Sequence, residues 1–317
     1  MQTKENAVTG CAQQIMNQVR KVVVGKDPVL LWVLAAILAR GHILLEDIPG
    51  VGKTTMAVAF SKSLQLKYNR MQFTPDVLPT DVTGYSVLDT NDGSLTYREG
   101  CVLCNLFLAD ELNRATSRTQ SALLEAMEEG QVTVDGVNHP LPDPFVVIAT
   151  QNPAGAVGTQ LLPDSQMDRF MVRLSLGYPS AEKEVAMVMD RQAGNPLHTL
   201  TPLLTKEDLT AMQNEVERTY IKDCIVKYIV DLIVATRNSE YIFRGASPRA
   251  TLAVTAMAKA IACIRGRDYV LPGDVQEVFI RTVAHRLLLS SKAEDNRMTT
   301  EQVLSDILRQ VPAPAIY

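Results

Sequence analysis

From about Arg40 to Leu176, short apolar runs alternate with stretches of helical period: His42–Leu45, Arg70–Phe73, Leu106–Ala109, Phe145–Ala149 and Phe170–Leu176. Continuous runs of that length between helices are the mark of parallel strands covered on both faces, because neither face meets water. From Gly177 onward the pattern is helical almost throughout. Helices are expected at Ala181–Gln192, Lys206–Thr219, Cys224–Arg237, Pro248–Arg265 and Pro272–Leu289. Pro179-Ser180 marks the boundary, since proline disfavours helix before it and serine caps one after it. The pattern thus predicts an α/β domain over residues 1–178 and an all-α domain over 179–317.

Smaller features fill in this frame. Val29–Ala39 is apolar for eleven residues between Asp27 and Arg40. That is too short to span a bilayer, so it reads as a buried helix. Two β-prone stretches flank Asn91-Asp92-Gly93 within Gly84–Gly100, which predicts a hairpin inserted between sheet elements. A second hairpin is expected where Gln131–Val134 and Val137–Leu141 flank Asp135-Gly136. Near the end, Ser290–Arg297 reads as a polar linker, and Thr299-Thr-Glu-Gln302 as a capping box opening a short amphipathic helix.

Composition narrows the class. A chain of 317 residues, 46% of them hydrophobic, can bury substantial cores. A net charge of -4 gives no reason to expect a polyanionic partner such as nucleic acid. Five cysteines, at 11, 101, 104, 224 and 263, lack framework spacing and suit a reducing compartment. The first residues lack the apolar core of a secretion signal. A cytoplasmic protein without membrane insertion is expected.

The chemistry begins after the first strand. His42-Ile-Leu-Leu-Glu46 runs into Asp47-Ile-Pro-Gly-Val-Gly-Lys-Thr54, and a helix is expected over Thr55–Leu64. Strand, glycine-rich loop and helix in that order form a phosphate-binding loop. Gly50 and Gly52 let backbone N–H groups close around phosphate oxygens, Lys53 puts a cation on the β- and γ-phosphates, and Thr54 offers a hydroxyl to magnesium. The nucleotide-contacting set is Pro49, Gly50, Val51, Gly52, Lys53, Thr54 and Thr55. One departure stands out, because the general pattern has glycine where this chain has Asp47.

Further on, the apolar strand Leu106–Ala109 ends in Asp110-Glu111. That placement lets Asp110 hold magnesium through water while Glu111 orients or deprotonates an attacking water. The strand Phe145–Thr150 ends in Gln151-Asn152-Pro153, where the Asn152 amide could position water or sense the γ-phosphate. Taken alone, Asn-Pro reads first as a plain turn.

These segments together resemble the MoxR group of AAA+ ATPases from about Val22 to Arg286. The likeness is carried by Leu45–Thr54, Thr74–Gly84, Ala109-Asp-Glu-Leu-Asn-Arg114, Gln120–Glu129, Ala149-Thr-Gln-Asn-Pro153, Asp168-Arg-Phe170 and Gly245-Ala-Ser-Pro-Arg249. The resemblance implies a P-loop domain with a five-stranded parallel sheet and a helical lid. It also implies ATP and Mg2+ as ligands and a ring, expected to be a hexamer. Asn152 corresponds to sensor 1. Arg169 resembles an arginine finger reaching a neighbour's γ-phosphate, and Arg249 resembles the lid's sensor 2. Ser247-Pro248 reads as N-cap and first helical residue, which would fix the direction of Arg249. Val23-Val24-Gly25 resembles the segment that packs on adenine, and an acid at position 47 is common in the group.

The chain departs from the group's pattern at Thr116-Ser-Arg-Thr119, at Ala154-Gly-Ala-Val157, and at Cys101-Val-Leu-Cys104. The cysteine pair has no second pair and no histidine close by in sequence, so buried strand cysteines are expected rather than a metal site. Between Met71 and Gly100 lie five acids (Asp76, Asp81, Asp89, Asp92, Glu99) against Arg98, with Arg70 just outside. A loop that grips DNA should be basic. The resemblance therefore implies chaperone-like remodelling, activation, or cofactor or metal insertion of a client protein, with a client or co-protein bearing a von Willebrand factor A domain. A metal-chelatase subunit, a DNA-dependent motor and a nucleotide-gated scaffold remain alternatives.

Overall fold

The structure is a computed structural model that describes residues 7–48, 50–88, 90, 93–152, 162–192 and 194–315. Its strands are β1 (Ile43–Glu46), β2 (Tyr68–Gln72), β3 (Gly84–Leu88), β4 (Leu95–Glu99), β5 (Leu106–Asp110), β6 (Gln131–Val134), β7 (Val137–Pro140), β8 (Val146–Gln151), β9 (Val172–Leu174), β10 (Ile242–Arg244) and β11 (Leu288–Leu289). In the N-terminal part the helices are α1 (Ala7–Arg20), α2 (Asp27–Leu38), α3 (Lys53–Ser63), α4 (Pro79–Thr83), α5 (Ser117–Glu129) and α6 (Asp164–Met167). The rest are α7 (Ala181–Gln192), α8 (Lys206–Arg218), α9 (Asp223–Asn238), α10 (Pro248–Ile264), α11 (Pro272–Val283), α12 (Ser291–Asp295) and α13 (Thr300–Gln310).

Five strands make one parallel sheet in the order β2-β5-β8-β1-β9. Their continuous hydrophobicity has a two-sided cause. Ile43, Leu45, Leu106, Leu108, Val146 and Ile148 enter a core shared with α1, α2 and the lid helices. The alternate residues Leu44, Phe107, Ala109, Val147 and Ala149 enter a second core with Leu123, Leu124 and Phe170. Side chains alternate along a strand, so burial on both faces requires apolar residues at every position.

Both strand order and register serve the site. Leu45 pairs with Thr150, Gln72 with Asp110, and Ala109 with Ala149. The loop after β1, the acids ending β5 and the amides ending β8 therefore emerge at one edge. In open parallel sheets, that carboxyl edge is where ligands bind.

The lid is helical, and it is not a separate bead. Leu34 and Ile37 of α2 share the first core with Val254 and Met257 of α10 and Leu209 of α8. The expected buried helix over Val29–Ala39 is realised in α2, where Leu30 and Trp32–Leu38 are buried. Two expectations are corrected. The helix foreseen over Pro272–Leu289 ends at Val283, and a 3-10 turn over Ala284–Arg286 follows. That turn sends His285 and Arg286 inward to the Phe170 carbonyl, after which Leu288–Leu289 pairs antiparallel with β10. The stretch foreseen as a polar linker, 290–297, contains α12, anchored by buried Ala293.

Local chemistry behaves as foreseen elsewhere. Thr299 Oγ1 accepts from the Gln302 N–H at 3.2 Å and the Gln302 side chain accepts from the Thr299 N–H at 2.8 Å, completing the capping box. Both hairpins form, β3 with β4 and β6 with β7. In the second, Asp135 and Gly136 both have positive φ (51° and 77°), the turn that matches strand twist. Asp89, Asn91 and Asp92 at the first hairpin lie outside the described residues. Thr116, one of the departures from the group pattern, caps α5 through the Thr119 N–H. Among the described residues no helix is long and apolar enough to cross a membrane.

Candidate active site

The loop between β1 and α3 has the backbone its glycines predict. Gly50 and Gly52 take φ of 87° and 98°, and among the described residues beyond each glycine's chain neighbours nothing lies within 4 Å of where a Cβ would sit. A side chain there would strain the backbone and fill space that phosphate oxygens need. Gly52 is also the residue preceding α3 and makes no side-chain cap, so the helix's first N–H groups stay available to an anion. Pro49 lies outside the described residues. Thr54 and Thr55 are half-buried in the first turn of α3.

Lys53 is buried, and its Nζ donates to the Asp47 carbonyl at 2.8 Å. Burial pushes its ammonium below the ordinary lysine value, while the nearby carboxylates of Asp110, Asp47 and Glu111 oppose that shift. Asp47 fits where glycine usually stands because its side chain has work elsewhere. The carboxylate accepts from Ser175 Oγ (2.7 Å), the Leu176 N–H (2.6 Å) and the Gly177 N–H (2.9 Å). Buried Lys26 donates to the carbonyls of Leu176, Gly177 and Tyr178 at 2.5, 2.9 and 2.8 Å. Together they fasten the exit of the α/β domain to the start of the phosphate loop.

A single hydroxyl organises the acids. Thr150 Oγ1 donates to Asp110 Oδ1 at 2.7 Å and accepts from the Glu111 N–H at 2.8 Å. Asp110 Oδ2 accepts from the Arg70 guanidinium at 2.7 Å. Glu111 sits at φ 55°, a left-handed conformation that costs a non-glycine residue energy. Its Oε2 pairs with Arg114 at 2.9 Å, and its Oε1 accepts from the Asn152 amide at 3.4 Å. Asn152 Oδ1, on the same amide that donates to Glu111 through Nδ2, is buried and has no partner among the described residues.

Beside the loop lies a cavity of about 530 Å³, a size suited to a small ligand. Val22, Val23, Val24, Gly50, Val51, Gly52 and Thr55 line it, with Pro179, Met187 and Leu197 opposite. Val24 thus joins the phosphate loop in one cleft. Gly25 flanks it at φ 75°, where any Cβ would collide with the Lys183 side chain.

The donors fit magnesium. Thr54 and Asp110 supply oxygen only, as a hard cation demands, and magnesium keeps most of its own waters. Among the described residues no three His, Cys, Asp or Glu side chains are grouped so as to hold a metal ion.

Arg169 and Arg249 lie elsewhere. Arg169, in the turn after α6, donates to the Leu124 carbonyl at 2.9 Å and pairs with Glu128. Arg249, in the first turn of α10, pairs with the other oxygen of the same carboxylate. The two arginines share a recess of about 330 Å³ with Arg40, His42, Asp168, Leu252 and Arg286. No residue lines both this recess and the phosphate-loop cleft. Ser247 and Pro248 stand at the N-cap and first helical residue of α10 as expected, but the Ser247 hydroxyl donates to Asp168 at 2.8 Å instead of bonding the helix backbone. Asp168 also pairs with Arg286 at 2.6 Å, so one carboxylate next to Arg169 ties down the helix that carries Arg249.

Sequence reasoning missed Thr150, Glu128 and the contact of Arg70 with Asp110. Thr150 had a faint signal, standing one residue before the amides at a strand end. Cys101 and Cys104 lie in the turn between β4 and β5 rather than in a strand as expected; both are at least half-buried, and burial pushes both thiols up to about 12, which opposes thiolate ligation.

Comparison with known proteins agrees with this geometry. Residues 42–172 match the family described as "ATPase family associated with various cellular activities (AAA)", and residues 234–307 match an AAA lid domain. YeaC of Bacillus subtilis is 44% identical over 94% of this chain and 93% of its own. The chaperone MoxR1 of Mycobacterium tuberculosis is 37% identical over 94% of this chain and 81% of its own. The crystal structure of a proposed ATPase from Cytophaga hutchinsonii superimposes with a TM-score of 0.90 at 37% identity, covering 97% of this chain and 96% of that one.

Proposed function

Because the chain belongs to the MoxR family of AAA+ ATPases and is an ATP-hydrolysing enzyme of that family, we propose that it works as a ring. In the proposed ring each ATP lies between two subunits, and hydrolysis remodels a client protein. The observation that carries this reading is the separation of two half-sites: phosphate loop and acids at one edge, Arg169 and Arg249 together in a recess that shares no lining with it. Each half lacks what the other supplies.

The residue roles follow from that division. Gly50, Gly52 and the start of α3 would hold the phosphates through backbone N–H groups, with Pro49, Val51 and Thr55 shaping the loop. The Lys53 ammonium would leave the Asp47 carbonyl for phosphate oxygens, which repay its burial with a charge. Val24 and Gly25 would border the base. Thr54 and Asp110 would hold magnesium, the latter through water, and the ion supplies positive charge to the β- and γ-phosphate oxygens. Glu111 would orient and deprotonate the attacking water, aided by the unpartnered Asn152 Oδ1. A neighbour's Arg169 and Arg249 would offset the charge developing on the leaving phosphoryl group.

A protein client fits better than DNA, because the first hairpin and its surroundings carry five acids between Met71 and Gly100. The similarity to the chaperone MoxR1 supports a chaperone-like role. A hexamer, a cytoplasmic location and a client or co-protein with a von Willebrand factor A domain complete the proposal on the family resemblance. Glu111→Gln should bind ATP, assemble and hold its client. Sedimentation with ATP would reveal the assembly, and mass spectrometry of co-purified material would identify what it holds. A monomer saturated with ATP would sink the ring. Recovery of nucleic acid alone would sink the protein client.

A further inference from the structure

The two arginines meet on one carboxylate that the reading above leaves without a role. Glu128 stands in the last turn of α5, with Oε2 on Arg169 and Oε1 on Arg249. The other carboxylate in the recess, Asp168, is already committed to Arg286 and Ser247. Three guanidiniums, Arg169, Arg249 and Arg286, thus share two carboxylates, and Glu128 is the counter-charge for the pair that faces outward.

We propose that Glu128 is a positioning residue for the hydrolysis reaction, holding Arg169 and Arg249 as a matched pair for the neighbouring subunit's terminal phosphate; this rests on the reading of both arginines as acting across an interface. The argument is geometric. A carboxylate that gives one oxygen to each guanidinium sets their separation to the spacing of two oxygens on one anion. A phosphoryl group presents the same kind of edge. Without Glu128 the two cations repel, and long flexible side chains then swing apart into solvent. Placement also matters, because α5 (Ser117–Glu129) follows Glu111 after a 3-10 turn over Leu112–Arg114 and carries Glu128 in its last turn. A short turn and one helix therefore connect a subunit's own water-activating acid to the residue that sets the arginines for the next subunit.

Glu128→Gln keeps the shape and one acceptor oxygen while removing the charge. In the purified full chain, kcat for ATP should fall by on the order of 10²-fold, the cost of misplacing groups that must meet a transition state. Binding of a fluorescent ATP analogue to the variant's own loop and its thermal midpoint should stay at wild-type values. Glu128→Asp, shorter but charged, should keep more of kcat than Glu128→Gln. Equal mixtures of Glu128→Gln with Lys53→Ala should exceed the mean activity of the two alone, because the intact loop of one then meets the intact arginine pair of the other. Wild-type kcat in Glu128→Gln, lost analogue binding, a lowered midpoint, or a mixture giving only the mean would each overturn the proposal. If Arg169→Ala and Arg249→Ala themselves keep wild-type turnover, the trans reading fails instead, whatever Glu128→Gln does.

Discussion

The phosphate-loop edge and the arginine recess solve opposite electrostatic problems on one subunit. At the loop edge, Asp47, Asp110 and Glu111 lie near Lys53, Arg70 pairs with Asp110 and Arg114 with Glu111, and Ser175, Thr150, Asn152 and backbone N–H groups complete the hydrogen bonds of the acids. In the recess the charges are inverted. Arg169, Arg249 and Arg286 are held by Glu128 and Asp168. The loop edge sets its three acids against Lys53, Arg70 and Arg114 and keeps a buried acceptor, Asn152 Oδ1, without a partner among the described residues. The recess carries spare positive charge, as a surface awaiting an anion should. The difference teaches that the loop edge is balanced by cations of its own, whereas the recess holds three guanidiniums on two carboxylates.

The sharpest way to break that comparison is to disable each half alone. Arg169→Ala should lower kcat by about 10³-fold or more while the variant still binds ATP, as removal of a trans arginine does elsewhere. Steady-state phosphate release alongside ATP-binding calorimetry checks this; lost ATP binding would show that Arg169 serves its own loop. Next, Thr150→Val strips the hydroxyl from Asp110 and the Glu111 N–H at once. Leaving two buried groups short of a partner costs about 1–3 kcal/mol, and turnover should drop by roughly ten- to a hundredfold. Urea unfolding and kcat measured together separate the stability loss from the catalytic one.

Asp47→Ala probes only the loop edge. Losing three hydrogen bonds to a charged acceptor should destabilise the fold by about 2–3 kcal/mol, read from the urea midpoint at constant slope. The smallest effect concerns the recess. His42 accepts from the Val147 N–H at 3.0 Å through Nδ1 and meets the Met127 carbonyl at 3.1 Å through Nε2, which fixes the neutral tautomer. Burial lowers its pKa to about 4. The unfolded chain, with its ordinary value near 6.5, then binds the proton more readily. The His42 contribution is therefore complete above pH 6.5 and is lost as pH falls toward 4. Between pH 7 and pH 5 that amounts to about 2 kcal/mol. Thermal midpoints of wild type should fall over that interval more steeply than those of His42→Gln; parallel curves would contradict it.

Legibility in the sequence tracked the range of the interaction. Gly50, Gly52, Lys53 and Thr54 are adjacent and follow a strand, so their loop could be read directly. The same holds for Asp110-Glu111 at a strand end and for Asp135-Gly136 between two short strands, where a few φ values decide the outcome. The helix expected over Pro272–Leu289 shows where local reading stops. Helical periodicity continues past Val283, yet Arg286 is drawn to Asp168 across the domain junction, and that pairing ends the helix.

The sequence by itself determined the alternation of strands and helices, the phosphate loop and the two acids, because periodicity and turn chemistry act over a few residues. Only the tertiary structure decided that Thr150 stands beside Asp110, that Asp47 fastens the domain exit, and that Arg249 joins Arg169 on Glu128. Those partners lie from 40 to about 130 residues apart in the chain. Strand register and helix packing bring them together, and no local pattern encodes either.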